Sequence, residues 1–231
     1  MSRRKEAEPP SISRVFQHNG LSIVLFTLFL LAFVGQSIAG HLHYNHEQQE
    51  HRQPPVTYGE YITGTQFLEA TMENWESEFL QMFFFIILTV FLYQKGSAES
   101  KDPDKEEDVD KDRQKAKTRD SPSPVKKGGW RLKLYAHSLS LAFLIMFVAS
   151  FLLHAKGGAG DYNEEQRAHG SAESVTTIGY MATSRFWFES FQNWQSEFLA
   201  VGLMVVLTIF LREKGSKESK PVASAHDQTG K

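Results

Sequence analysis

The chain has 231 residues, 23% of them charged, a formal net charge of −2 and no cysteine. The missing cysteines exclude disulfides, thiolate metal sites, iron–sulfur clusters and cysteine lipidation. The charges are segregated, leaving four stretches nearly free of them, so a composition that averages to a soluble protein conceals a membrane protein.

Residues 1–20 form a basic tail carrying Arg3, Arg4, Lys5 and Arg14. The first apolar run, Leu21 to Ala39, has no charge. A helix needs about 20 residues to cross a hydrocarbon core of roughly 30 Å, and this run meets that alone. Ser37-Ile38-Ala39 loosely resembles a signal cleavage site, but secretory cores are shorter and the second half of the chain carries a matching run. A retained anchor is expected.

The following segment reads as an outer loop with His41, His43, His46 and His51. Histidine is a common zinc and copper ligand, so these four are the candidates for a metal site. The corresponding second-half positions of the first three hold Ala159, Asp161 and Glu164, and only His169 persists. No known ligand spacing emerges, and solvated loop histidines are the simpler reading.

Thr65 is placed as the N-cap of an amphipathic approach helix, as is Ser184 in the second half. The approach leads through Asn74-Trp75-Glu76-Ser77-Glu78 into a short apolar run, Phe79 to Tyr93. Asn74, Ser77, Glu78 and Gln81 fall at i, i+3, i+4 and i+7, one polar stripe. A carboxylate within a span costs on the order of 2.5–3.5 kcal/mol and normally faces protein or water. Lys95-Gly96-Ser97 then suits a snorkelling lysine and a left-handed glycine cap. Residues 96–129 are dense in both charges, carry Ser121-Pro122-Ser123-Pro124, and read as a disordered linker. The basic end of this linker, Lys126 and Lys127, suits either anionic headgroups or topology alone.

Trp130 precedes the third apolar run, Leu134 to Leu153, again without charge. His137 lies at its start, with His18 in the matching tail; a proton relay and a headgroup-facing imidazole are both open there. The fourth run, Phe198 to Leu211, follows Asn193-Trp194-Gln195-Ser196-Glu197, and residues 216–231 close the chain. The indoles Trp75, Trp130, Trp187 and Trp194 suit interfacial anchoring. Basic residues number 21 in the tails and central segment against 4 in the two remaining loops. The positive-inside rule therefore puts both termini in the cytoplasm.

The two halves repeat. Asn74-Trp75-Glu76-Ser77-Glu78-Phe79-Leu80 matches Asn193-Trp194-Gln195-Ser196-Glu197-Phe198-Leu199, and Lys95-Gly96-Ser97 matches Lys214-Gly215-Ser216. The expected fold is all-α and integral to the membrane. It has four spans in two tandem, parallel helical hairpins, residues 21–95 and 130–215, as in parallel-repeat transporters. This doubled pattern resembles an uncharacterised family of bacterial membrane proteins, known as a domain of unknown function. The resemblance implies a bacterial inner-membrane location and supplies no activity.

Glu78 and Glu197, with Asn74, Ser77, Gln81, Asn193 and Ser196, read first as an interhelical hydrogen-bond cluster; the functional alternative is a proton or cation site shared by the two glutamates. No phosphate loop, nucleophile elbow or zinc-protease helix is present in the sequence. The reading is a non-enzymatic structural or interaction module, with a small transporter or proton/cation pathway as its main rival and outer-face metal binding as the third. It expects no cofactor, the lipid bilayer and copies of itself (a homo-oligomer) as partners, and no nucleic acid; protein partners are open.

Overall fold

The computed structural model describes residues 12–111 and 118–230. Arg3, Arg4, Lys5, Lys231 and linker positions 112–117 lie outside them. The described residues are helical with no strand: α1 (Ile12–Glu50), α2 (Tyr58–Ile62), α3 (Thr65–Phe91), α4 (Ser123–Lys127), α5 (Gly129–Ala136), α6 (Ser138–Ala168), α7 (Thr177–Met181) and α8 (Ser184–Phe210).

Three described helices, α1, α6 and α8, are long and apolar enough to cross a membrane. Their apolar side chains face outward: Leu21 is 76% exposed, Ile145 66% and Leu199 63%. Contiguous apolar surface of this kind marks a lipid or protein contact. Four spans were expected, and α3 is the one that falls short. Its apolar run begins only at Phe79, and extending it backward brings in Glu69, Glu73, Glu76 and Glu78.

Compactness divides the chain between Phe67 and Leu68. In the first unit α1 is 39 residues long, about 58 Å at 1.5 Å per residue. It continues well past the apolar run, so His41, His43 and His46 lie on a helix, not in a loop. His41 Nε2 lies 2.9 Å from Val56 O, while His43 and His46 each pair with the glutamate four residues on. Asn45 clamps the return of the chain, its Oδ1 accepting from Val56 N at 2.7 Å and its Nδ2 donating to Val56 O at 3.0 Å. Thr57 and Glu60 then form a capping box on α2. The Tyr61 ring fits against Gly40, where an added Cβ would stand 2.1 Å from the hydroxyl oxygen.

The second unit holds α4 to α8 and all of α3 beyond its first three residues. Asn163 clamps Val175 through the same pair of bonds, 2.7 and 2.9 Å, and Thr176 caps α7. Tyr180 packs on Gly158, where a Cβ would stand 2.3 Å from its ring. Gly157 lets the α3 backbone approach, a Cβ there lying 2.5 Å from Glu69 N. Small residues permit such close helix contact. With Ala155 and Ala159 they give α6 a smooth face, and Phe186 and Tyr180 fill the core beside it.

Two local expectations shift. The cap of α8 is Thr183, one residue before the expected Ser184, and Thr65 is the first residue of α3. Gly96 and Gly215 are left-handed at φ 84° and 85°, yet α3 and α8 end at Phe91 and Phe210. These glycines therefore make turns in the chain beyond the helices. Part of the segment read as a linker packs against the C-terminal segment: Lys220, 1% exposed, donates to the carbonyls of Gly96, Ala225, His226 and Gln228.

Candidate buried carboxylate–histidine site

The N-terminal half of α3 carries Glu69, Glu73 and Glu76 at i, i+4 and i+7, which puts three carboxylates on one face. His154 comes from α6, one residue past the apolar run. Glu189 and Arg185 come from adjacent turns of α8, and Tyr180 from α7. The glycine contacts of α6 bring these elements close enough for the side chains to meet.

His154 is at the centre and 0% exposed. Its Nδ1 lies 3.0 Å from Glu76 Oε2, and its Nε2 lies 3.4 Å from Glu189 Oε2. Glu76 is also 0% exposed, and its second oxygen accepts from Trp194 Nε1 at 3.2 Å. The Tyr180 hydroxyl lies 2.7 Å from Glu189 Oε2 and 3.2 Å from Glu69 Oε1, bridging the two carboxylates. Burial, then the bond to Glu189 and the nearby charge of Glu69, pushes the Tyr180 phenol well above its ordinary pKa. Phe186 stacks on the imidazole at 4.9 Å and seals one of its faces.

Arg185 extends the network outward. Its Nε donates to Glu189 Oε1 at 2.9 Å, one terminal nitrogen to Asp161 at 2.9 Å and the other to Glu165 at 2.6 Å. Asn193 Nδ2 donates to Glu73 Oε1. A continuous hydrogen-bonded path thus runs from the fully buried Glu76, through His154 and Glu189, to the half-exposed Glu165.

The charges do not balance. Glu69, Glu73, Glu76, Asp161 and Glu189 gather around one guanidinium and one imidazole. Removing a carboxylate from water costs several kcal/mol unless it is compensated. The surplus calls for protons shared among the carboxyls or for a further cation. Glu69, His154 and Glu189 present one ligand atom each within 4.8 Å of one another, a donor set able to hold a metal ion.

A family model described as Domain of unknown function (DUF6766) matches residues 12–231. The chain belongs to that family. No curated protein and no solved structure matches this DUF6766 chain. Its family and its three apolar helices fit a membrane protein whose role neither of them indicates.

The polar stripe expected from sequence is only partly assembled in this DUF6766 protein. Glu78 and Glu197 do meet, close enough for one carboxyl to bond the other. Asn74 and Ser196 are exposed and bond their own helices, Asn74 to Ala70 O and Ser196 to Asn193 O. Ser77 and Gln81 are buried. Asn193 leaves the stripe for Glu73. Of the four indoles, Trp194 is a ligand of Glu76 and Trp187 belongs to an aromatic cluster with Phe151, Phe186 and Phe191. Trp130 is 70% exposed, with Arg131 over its ring. Trp75 stacks edge-on with Phe79.

Glu69, Glu73, His154, Tyr180 and Glu189 were not singled out from sequence. The signal available for three of the site's groups was the Glu69, Glu73, Glu76 spacing, which the neighbouring Ser77-Glu78 motif overshadowed. His154 ended an apolar run and so looked like its boundary.

Proposed function

We propose that this protein binds and passes protons or cations within a membrane, through the buried site built on His154, Glu69, Glu76 and Glu189. The observation that carries the reading is the surplus of carboxylates, Glu69 and Glu76 buried and Glu73, Asp161 and Glu189 half-buried, over the one guanidinium and one imidazole among them. A cluster kept only to join helices would be stabler with fewer charges, since buried ion pairs often lose to apolar packing. Ionisable groups inside membrane helices are functional sites by default. In this reading the protein is not an enzyme: the ion leaves chemically unchanged. Glu78 and Glu197, side by side, form a second carboxyl pair on the same helices.

Tandem duplication belongs to the same proposal. The matched clamps of Asn45 on Val56 and Asn163 on Val175, and the matched seats of Tyr61 on Gly40 and Tyr180 on Gly158, support it. On that alignment Glu76 corresponds to Gln195 in the other copy, so one half carries the charge and the other does not. A bacterial inner membrane as host, and a cytoplasmic central segment, rest on the skew of basic residues.

The structural-module reading has one observation in its favour: the network ties α3 to α6 and α8. Cation uptake into proteoliposomes separates the two. Transport predicts uptake that Glu69→Gln abolishes in a variant that still folds. Uptake equal to that of empty vesicles overturns it and leaves the network as helix glue.

A further inference from the structure

We infer that Glu69, His154 and Glu189 form a binding site for a divalent first-row transition metal of the zinc type. The inference rests on the cation-site reading above and deepens it by naming the ion class.

The first support is the orientation of the imidazole. Metal-bound histidines almost always give their other ring N–H to a carboxylate, which fixes the tautomer and raises ligand basicity. Glu76 does this for His154: its Oε2 sits 3.0 Å from Nδ1, and Trp194 holds its remaining oxygen. Nδ1 therefore carries a hydrogen toward Glu76, and Nε2 points to the side where Glu189 and Glu69 stand, so that a metal there takes the place of the proton Nε2 shares with Glu189.

The second support is a distance. Nε2 and Glu189 Oε2 are 3.4 Å apart. Charge-assisted N–H···O bonds close to about 2.7–2.9 Å, so this contact is slack for a hydrogen bond. Two ligands each about 2.0–2.1 Å from a tetrahedral zinc stand roughly 3.4 Å apart. The gap has the edge length of such a site. Glu69 supplies the third donor, all three within 4.8 Å of one another. The Tyr180 hydroxyl, bridging Glu69 and Glu189, orients the two carboxylates.

The third support is donor chemistry. One imidazole nitrogen with two carboxylates suits zinc, iron(II), cobalt(II) or manganese(II); magnesium and calcium take oxygen ligands. A dication also offsets the carboxylate surplus. The α1 histidines offer no comparable set, because His43 and His46 each pair with their own helical neighbour and His41 with Val56 O and Asn45.

The test is zinc titration of the purified, chelator-treated full chain in detergent, followed by calorimetry. One saturable zinc per chain is expected, with no matching response to magnesium. Glu76→Gln should weaken it about 10–100-fold, the usual effect of removing a carboxylate that orients a ligating histidine, and His154→Gln should abolish it. Cobalt(II) spectra of the wild-type chain give a readout that needs no variant: intense tetrahedral bands support the site, and a weak octahedral spectrum overturns it. Absence of zinc binding, or binding intact in His154→Gln, also overturns it. Zinc bound without any ion uptake would sink the transport reading and leave the metal site standing. Glutamate-dependent proton uptake without zinc binding would do the reverse.

Discussion

Replacing Glu76 by glutamine changes one atom and should strip the Nδ1 hydrogen from His154. Trp194 Nε1 is a donor only, and it lies 3.2 Å from Glu76 Oε1. A glutamine at this position must keep its carbonyl toward the indole, since the flipped amide would set donor against donor. Its NH2 then faces His154 Nδ1, which has to accept, and the ring keeps its hydrogen on Nε2, donating to Glu189. One charge-assisted bond becomes neutral, a loss of about 1 kcal/mol. Removing a fully buried charge offsets part of that loss. Stability should therefore change by about 1 kcal/mol or less while Nδ1 loses its hydrogen. Nitrogen-15 NMR of histidine-labelled protein reads the outcome, with the His154 signal assigned by its absence in His154→Gln. A protonated Nδ1 in folded Glu76→Gln would refute the reasoning.

Three further predictions concern packing and pH. Gly158→Ala forces the Tyr180 ring away from a position 2.3 Å from the new methyl, so it should cost about 1–3 kcal/mol and lower the melting temperature in detergent; an unchanged melting point contradicts the packing. Asn163→Ala removes both bonds that hold Val175, at about 0.5–1.5 kcal/mol each, and hydrogen exchange at Val175 and Thr176 should quicken while α8 stays protected. Folded Tyr180 holds its proton above the ordinary phenol pKa of about 10, so the folded state binds more protons there and stability falls as pH rises past that value. Tyr180→Phe should show a shallower alkaline decline in a pH series of thermal melts, and an equal decline would mean that this phenol is not responsible.

The membrane class was legible because uninterrupted apolar runs such as Leu21 to Ala39 admit few other readings. The clamps were not legible: nothing in one dimension says that Asn45 and Asn163 each hold the backbone of a residue eleven or twelve positions on. The site was harder. Glu69, Glu73 and Glu76 share a face of the helix expected after Thr65, but its carboxylate-rich first half reads as an approach outside the membrane, with nothing to show that α6 and α8 cover it. Arg185 is one of the four basic residues counted in the two remaining loops, and its bonds to Asp161 and Glu165 arise only when α6 and α8 come together. The histidines of α1 misled because the helix runs on to Glu50, spreading along a rod what a loop would have gathered.

The most direct test of the account is proton entry into proteoliposomes loaded with a pH-sensitive dye, driven by a potassium potential, for wild type and His154→Gln. The account predicts acidification with the wild type and none with a folded His154→Gln. Equal acidification in both would contradict it, because a path that ignores the central imidazole does not run through this site.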